Sequence, residues 1–317
     1  MKKVLIALSL SLICSWPSVE SFGSKSPGPL LHRYLQRLGL QESDLDTGPT
    51  RRNLFMLTEA HLRNIPFDNL RMHGAAYTPL SLNTEIMAEH ILDRRRGGCC
   101  YELNGLFAQL LCELGYDVTP VPALVYMMEG SQQKHMGILV KDNSNMQTYY
   151  VDVGMGEPPL CPVLFQVGLE QKTAEGMQSR FISEGSDIFL QRYDPSNDFW
   201  YSKAKLLSVS FLDSNYSVTD FESDLLDVFD RDSIFRRKLV ACRLTRDEKI
   251  TLAGHSLKRT LNRLSPNEKV HVQDLRTKED VRAVLESEFG IPLSETLSIK
   301  TGTTLQNKNC AVDSLYH

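Results

Sequence analysis

Two adjacent cysteines follow an arginine and two glycines in the stretch Arg96-Gly97-Gly98-Cys99-Cys100. Apolar residues then recur at the spacing of one helical face and stop before a glycine: Leu103, Leu106, Phe107, Leu110, Leu111, Leu114 and then Gly115. A thiol on the first turn of that helix meets unpaired N–H groups and the positive end of the helix dipole, which favour the reactive thiolate. The stretch therefore predicts a nucleophilic cysteine, and helical periodicity alone does not choose between Cys99 and Cys100.

A cysteine nucleophile needs a histidine to take its proton and a third group to orient that histidine. Of the eight histidines, His135 lies at the start of one strand-like run, and Asp152 lies near the end of the next. If the hairpin between them is centred on Asn143-Ser144, the two residues are directly opposite, with Cβ atoms about 4.5–5.5 Å apart. A shift of one residue would move Asp152 to the other face. The sequence thus predicts a Cys-His-Asp triad.

Each member of this set also has an ordinary structural interpretation. The cysteines could be small core residues, His135 a satisfied residue at a strand start, and Asp152 a buried acid that caps a turn. Scattered cysteines and histidines could also indicate zinc, but no C-x₂-C or H-x₃-H spacing is present, so we predict no metal site. The combination with the Gly-Gly turn favours the triad.

The composition excludes several classes of function. The chain has 317 residues, of which 42% are apolar and 23% charged, and its formal net charge is −4. This length allows two or three packed units. The mild acidity gives no electrostatic reason to expect nucleic acid or an anionic membrane surface as a partner. No apolar run after the first twenty residues is long enough to span a bilayer, so we predict no transmembrane span in the mature chain.

The N-terminus is typical of a secretory targeting peptide, with Lys2-Lys3 followed by an apolar run from Val4 to Cys14. We predict that residues 1–21 form this peptide, and a docked N-terminal helix or strand is the alternative. The seven cysteines, in contrast, show no disulfide framework of the kind that secreted proteins carry. Because these two signals disagree, the sequence leaves the localisation open.

The predicted elements change from helices to strands along the chain. Helices are predicted over Leu30–Leu40, over Arg51–Arg63 and from an N-cap at Asn83 to Arg95. Strands are predicted from short β-branched or alternating runs at Val118–Met127, Met136–Lys141, Thr148–Val153, Phe181–Arg192, Phe199–Phe211, Arg237–Arg243 and Lys249–Leu252. A last helix begins after Thr277 and ends at Gly290. This order predicts an α+β protein.

These motifs together resemble the arylamine N-acetyltransferase family over roughly Leu30 to Pro292. The family motif Arg-Gly-Gly-x-Cys corresponds to residues 96–100, which makes Cys100 the nucleophile and leaves Cys99 at the variable position. Segments 134–136 and 150–154 are similar to those that carry the family's histidine and aspartate. Looser matches are Tyr34–Arg37, which resembles a Tyr-x-x-Arg signature, and Ile65–Leu70, which resembles Pro-Phe-Glu-Asn with Asp68 in place of Glu.

The resemblance implies an N-terminal helical bundle over residues 28–115, a central antiparallel β-barrel over 116–220, an α/β lid over 221–297 and a loose tail over 298–317. The triad Cys100, His135 and Asp152 would lie between bundle and barrel in a papain-like arrangement. The implied chemistry is ping-pong: Cys100 takes the acetyl group from acetyl-CoA and gives it to an arylamine, an arylhydrazine or an N-hydroxyarylamine. Acetyl-CoA is then a co-substrate, and no bound cofactor is expected.

The resemblance also implies roles for the residues around the triad. These are structural support of the nucleophile turn by Arg96, Asp68, Gly97 and Gly98, and lining of the substrate pocket by Phe67 and Met155. Arg96 would pair with Asp68 through its bidentate fork. The family has an aromatic ring at Met155, so the amine selectivity is expected to differ. The lid segment Asp227–Ser233 carries three carboxylates, which disfavour a phosphate-bearing ligand.

Two other functions are consistent with the same residues. The triad could serve hydrolysis or a transglutaminase-like acyl transfer on peptides, because the pocket rather than the triad decides the substrate. A binding protein descended from an enzyme would keep the fold, but Cys100 would then have ordinary thiol reactivity. Acetylation of Cys100 by acetyl-CoA separates both alternatives from the acetyltransferase.

Overall fold

The computed structural model describes residues 28–73, 81–126, 132–207, 216–228, 233–245, 247–263 and 267–292. The predicted targeting peptide (1–21), the predicted tail (298–317) and residues 229–232 of the acidic lid segment lie outside the described residues. In the described ranges the chain forms helices first, then a large antiparallel sheet, then a smaller sheet with its own helix, so the α+β class is confirmed. None of the helices within these ranges is both long and apolar enough to cross a membrane.

Four helices precede the long strands: α1 (Pro29–Leu38), α2 (Arg51–Asn64), α3 (Thr84–Ala88) and α4 (Cys100–Glu113). Helix α3 begins after Asn83, whose side chain accepts the N–H groups of Glu85 and Ile86, so the predicted N-cap is confirmed. The chain then continues through a π-helical turn, Glu89–Asp93. Helix α4 is buried on nearly every face because α1 and α3 pack on one side and the strands on the other.

The large sheet has eight antiparallel strands in the order β5-β4-β3-β2-β9-β8-β7-β6. Their bounds are β2 (Asp117–Tyr126), β3 (Gln132–Asp142), β4 (Gln147–Val151), β5 (Val163–Leu164), β6 (Glu170–Lys172), β7 (Gln178–Glu184), β8 (Asp187–Asp194) and β9 (Phe199–Leu206). The side chain of Gln171 on β6 bonds both the N–H and the carbonyl of Leu164 on β5, at 2.8 Å each. A side chain therefore joins the two end strands, and the sheet is a nearly closed barrel, as predicted.

The smaller sheet has the order β1-β10-β11-β12-β13. Its strands are β1 (Phe67–Asp68), β10 (Val240–Leu244), β11 (Glu248–Ala253), β12 (Ser256–Leu261) and β13 (Lys269–Asp274). The short helices α5 (Glu222–Val228) and α6 (Ile234–Arg237) precede β10 in the chain. Helix α7 (Lys278–Phe289) packs Val281, Leu285 and Phe289 into the core of the smaller sheet. Because β1 comes from the helical third of the chain, the sheet ties the two ends of the molecule together.

The strands β12 and β13 were absent from the sequence prediction. All six residues of β13 are exposed, and its two valines, Val270 and Val272, face solvent. An edge strand of this kind buries neither face, so it lacks the alternation of apolar and polar residues by which strands are recognised. The predicted bounds of the bundle, barrel and lid stay a proposal.

Candidate active site

The two cysteines of the sequence motif have different positions and partners. Cys99 is the N-cap residue of α4, and its sulfur accepts the N–H of Glu102. Cys100 is the first helical residue, and the interaction of its side chain with His135 lowers its pKa. Both cysteines are buried, with exposures of 3% for Cys99 and 8% for Cys100. Cys99 therefore caps the N-terminus of α4, whereas Cys100 interacts with the imidazole of His135.

Two glycines let neighbouring segments approach the nucleophile turn. A Cβ on Gly97 would lie 2.2 Å from the carbonyl oxygen of Pro66 and 2.4 Å from the carboxylate of Asp68. A Cβ on Gly154 would lie 2.6 Å from the Cα of Cys100. Real Cβ atoms do not approach other atoms so closely, so a side chain at either position would displace the turn that carries Cys100.

The hairpin that carries the histidine has a different register from the predicted one. Strands β3 and β4 pair Ile138 with Val151, whereas a hairpin centred on Asn143-Ser144 would pair it with Tyr149. The prediction that His135 lies directly opposite Asp152 is therefore wrong, by two residues. The reason is the turn between the strands, which covers four residues, 143–146, and not the pair assumed.

The contact between His135 and Asp152 nevertheless forms. Because side chains alternate with a period of two, a two-residue shift leaves both on the same face as diagonal neighbours. His135 Nε2 lies 2.7 Å from Asp152 Oδ2, and Asp152 directly follows the last residue of β4. Since Nε2 is engaged by the carboxylate, Nδ1 is the ring nitrogen left for the thiol of Cys100. The structure thus brings all three predicted residues together.

The carboxylate of Asp152 accepts five hydrogen bonds and has no free position. Oδ2 accepts from His135 Nε2 (2.7 Å) and Tyr150 OH (2.8 Å), and Oδ1 accepts from Asn104 Nδ2 (3.0 Å) and the N–H groups of Gly154 (3.0 Å) and Met155 (2.9 Å). Burial alone would raise the pKa of Asp152, but the charge of His135 and these bonds hold it below its usual value. The residue therefore stays an oriented anion.

The electrostatics favour a thiolate–imidazolium pair. A hydrogen bond from Cys99 lowers the pKa of Cys100 to about 6, with a further contribution from His135 and against the opposing effect of burial. Burial alone would lower the pKa of His135, but Asp152 and Cys100 raise it to about 10. Burial raises the pKa of Cys99 well above its ordinary value, so Cys99 keeps its proton. Near neutral pH, Cys100 is therefore the charged sulfur of the pair.

The predicted ion pair between Arg96 and Asp68 is wrong. The two carboxylate oxygens of Asp68 accept the N–H groups of Leu70 and Gly97, at 2.9 Å each, and no ion pair with Arg96 forms among the described residues. One guanidinium nitrogen of Arg96 is buried without a hydrogen-bond partner in that part of the chain. Backbone donors already satisfy the carboxylate, so Asp68 supports the turn without the arginine.

A second buried acid anchors the nucleophile turn instead. Glu102, on the first turn of α4, pairs with Arg71 and also accepts the N–H of Cys99 at 3.2 Å. Burial raises the pKa of Glu102 to about 7, although Arg71 acts in the opposite direction. Gly98 leaves space for this pair, since a Cβ there would lie only 3.2 Å from the Cβ of Glu102. Arg71 belongs to none of the sequence motifs, so sequence reasoning missed it.

The two predicted pocket residues lie on separate elements beside the triad. Phe67, on β1, forms a bridge with Gly98, and its ring centroid lies 5.8 Å from that of Phe235. Met155 donates its N–H to Asp152 and packs its side chain in the barrel core. Both residues border the segments that hold the triad, and their contact with a substrate stays a proposal.

Sequence reasoning also missed Asn104 as a site residue. Its Nδ2 donates to the carbonyl of Met136 (2.6 Å) and to Asp152 (3.0 Å), and its Oδ1 accepts the N–H of Val153 (2.8 Å). One buried amide therefore ties α4 to β3 and to the loop after β4. The available signal was a polar residue one helical turn after Cys100 within an otherwise apolar segment.

The charged groups near the triad do not form a metal site. No group of three or more histidine, cysteine or acidic residues within the described ranges could hold a metal ion. Lys134 pairs instead with Asp224 (2.8 Å) and Asp227 (2.7 Å) of α5. The first carboxylate of the acidic lid segment is thus balanced by a lysine, and its other two lie outside the described residues.

Comparison with known proteins shows matches that cover most of the helices and strands described above. A sequence profile of the N-acetyltransferase family matches residues 52–298. An arylamine N-acetyltransferase of Mycolicibacterium smegmatis is 36% identical over 147 residues, which are 44% of this chain and about half, 52%, of that relative. The solved arylamine N-acetyltransferase of Salmonella typhimurium superposes with a TM-score of 0.73 and 25% identity, covering 88% of this chain and 96% of that one. The Mycobacterium marinum arylamine N-acetyltransferase solved in complex with CoA gives a TM-score of 0.71 and 28% identity, covering 82% and 92%.

Proposed function

Since the chain belongs to the arylamine N-acetyltransferase family, we propose that it transfers an acetyl group from acetyl-CoA, through a thioester on Cys100, to an arylamine, an arylhydrazine or an N-hydroxyarylamine. The observation that carries the proposal is the 2.7 Å contact of His135 Nε2 with Asp152 Oδ2, together with the effect of His135 in lowering the pKa of Cys100. The CoA complex of the Mycobacterium marinum relative supports acetyl-CoA as the donor.

In the first half-reaction the thiolate of Cys100 attacks the carbonyl carbon of the acetyl thioester. N–H groups on the first turn of α4 would stabilise the oxyanion of the tetrahedral intermediate. The bond between that carbon and the sulfur of CoA then breaks, and His135 gives its proton to the departing sulfur. The products are acetylated Cys100, free CoA and a neutral imidazole.

In the second half-reaction the amine nitrogen of the acceptor attacks the thioester on Cys100. His135, neutral after the first step, takes the proton that the nitrogen loses. The carbon–sulfur bond breaks, the amide leaves, and Cys100 returns as a thiolate beside an imidazolium. Asp152 keeps the same orientation of His135 in both halves and stabilises its charged form, so one set of side chains serves both steps.

Initial-rate kinetics test this proposal. With acetyl-CoA and 4-aminobenzoate or an arylhydrazine varied together, a ping-pong reaction gives parallel lines in double-reciprocal plots of CoA release. Cys100→Ala should abolish CoA release, because Cys100 is the sulfur that His135 activates. The matched variant Cys99→Ala should largely retain it at alkaline pH, where Cys100 is a thiolate in both proteins. Equal loss in both variants, or lines that intersect, would contradict the proposed route.

A further inference from the structure

A second cluster of buried charge lies where the barrel meets the smaller sheet. Its centre is Glu157, which is 7% exposed and lies in the loop after β4. Oε1 of Glu157 accepts from Arg192 of β8 (3.3 Å) and from Arg263 after β12 (3.1 Å), and Oε2 accepts from Lys249 of β11 (2.9 Å). Three cations from two different sheets therefore meet one carboxylate.

A β-bulge brings a fourth cation to the same place. The register between β8 and β9 skips one residue, Lys203, so this residue has no partner on β8. Such an extra residue bends its strand and re-aims its side chain. Burial lowers the pKa of Lys203 to about 8, and the charges of Glu157, Arg192 and Lys249 all act on it. Lys203 thus belongs electrostatically to the cluster.

The charges of this cluster do not balance. Arg192, Lys249, Arg263 and Lys203 all lower the pKa of Glu157, so four cations surround a single buried carboxylate. Glu268, a further acid whose charge acts on Arg192, is exposed. Excess charge in a poorly solvated place is unfavourable unless a counter-charge is present. The arrangement is therefore suited to an added anion.

The cluster also has more hydrogen-bond donors than acceptors. Arg192 is 8% exposed and Arg263 is 5% exposed. Atom Nη1 of Arg192 and atoms Nε and Nη2 of Arg263 are buried without a partner among the described residues. Both oxygens of Glu157 are already engaged, so the carboxylate is not placed to satisfy these donors. These unpaired N–H groups are donors that the acceptor oxygens of a bound anion could satisfy.

We propose that this cluster is a binding site for a phosphate-class oxyanion. A phosphate offers several acceptor oxygens and about two negative charges, which match the unpaired guanidinium donors and the excess of cations. The anion would sit between β8 and β9 of the barrel and β11 of the smaller sheet. The inference does not depend on the proposed acetyl transfer. Free phosphate and the phosphate of a larger molecule such as CoA share this chemistry.

Inorganic phosphate tests the site directly. Equilibrium dialysis of the full chain with radiolabelled phosphate, at constant ionic strength in chloride, should give one saturable site per chain. Lys203→Met removes one cation without breaking a bond to Glu157, and it should weaken phosphate binding about tenfold or more. The matched variant Arg180→Gln removes a partly buried arginine of β7 that pairs with Glu170, and it should bind phosphate like the parent. Absence of saturable binding, or equal binding by the parent and Lys203→Met, would overturn the proposal.

The same dialysis identifies the source of the phosphate group. If the site holds a phosphate of CoA, then CoA should displace the labelled phosphate, whereas pantetheine, which has no phosphate, should not. If the site holds a free anion, then the label should stay bound in the presence of CoA. Either result retains the site and fixes its occupant.

Discussion

Two neighbouring cysteines have opposite acid–base properties because their partners differ. Cys100 has a free thiol, and hydrogen bonding with Cys99 and His135 lowers its pKa to about 6. Burial, the hydrogen bond with Cys100 and the charge of Glu102 raise the pKa of Cys99 well above the ordinary value. Residue types and spacing predicted a reactive cysteine in this stretch, but these side-chain contacts distinguish the two.

The pH dependence of Cys100 alkylation tests this difference. Folding lowers the pKa of Cys100, so the stability that its thiolate contributes is present above the ordinary value of about 8.5 and is lost as the pH falls through about 6. Folding raises the pKa of His135, so that contribution is present below about 6.5 and is lost as the pH rises through about 10. The rate of iodoacetamide alkylation at Cys100, followed by peptide mass spectrometry, should have its midpoint near pH 6.

Cys99→Ala is the informative variant for this profile. It removes the hydrogen bond that lowers the pKa of Cys100 most, so the alkylation midpoint should move to higher pH. Exposed Cys112, measured in the same digests, provides an internal reference. A parent midpoint close to that of an ordinary thiol, or no movement in the variant, would rule out the hydrogen-bonded pair.

At the scale of elements, the sequence predicted which side chains lie on the same face of the hairpin, but not the register in which its two strands pair. The period of two put His135 and Asp152 on the same face, and a two-residue shift preserves that parity. The turn geometry depends on local contacts: Asp142 accepts the N–H of Ser144, and Met146 adopts a left-handed φ of 58°. A methionine in that conformation has no sequence signal, so the longer turn was missed.

The bulge at Lys203 could not be predicted for a similar reason. Its strand reads as a regular run, and the extra residue becomes visible only against the partner strand β8. The cluster around Glu157 joins residues from five separate segments, and none of them forms a local motif. Interactions of this long range are fixed by the packing of the two sheets.

The amide of Asn104 should be critical to the alignment of helix and hairpin. Asn104→Ala leaves the Met136 carbonyl and the Val153 N–H without their partner, which should cost about 2–3 kcal/mol of unfolding free energy. The displacement of Asp152 should also lower kcat/KM about tenfold or more. Urea unfolding and steady-state kinetics measure the two effects.

Asn64→Ala is the matched control for this prediction. The side chain of Asn64 is exposed and bonds only the carbonyl of Ala60 within its own helix among the described residues. Its loss should change the unfolding free energy by less than about 0.5 kcal/mol and leave kcat/KM unchanged. Equal effects of the two substitutions would refute the aligning role of Asn104.

At the scale of the whole molecule, the nucleophile turn is linked through β1 to β10, a strand that lies far along the chain. Strand β1 pairs with β10, and Asn69 fixes the junction. Its Nδ2 donates to the carbonyls of Phe235 and Lys238, and its Oδ1 accepts the N–H of Val240, at 2.7 Å each. The motif around Asn69 was visible in the sequence, but its partners were not, because they lie far along the chain.

Asn69→Ala should therefore destabilise the protein more than the removal of one small side chain usually does. Three buried partners lose their bonds, so we expect a loss of about 2–4 kcal/mol in the unfolding free energy. Asn197→Ala, at an exposed turn where the amide bonds only Asp194 among the described residues, should be nearly neutral. Urea unfolding of both variants measures the difference, and a neutral Asn69→Ala would mean that β1 does not join the two ends of the molecule.

The proposed acetyl transfer requires a covalent acyl group on Cys100. Brief exposure of the protein to acetyl-CoA without an acceptor, followed by acid quench and peptide mass spectrometry, detects that group directly. We expect a mass increase of one acetyl group on the peptide that carries Cys100, absent in Cys100→Ala and removed by an added arylamine. A protein that remains unmodified, or one acetylated equally on Cys99, would contradict it.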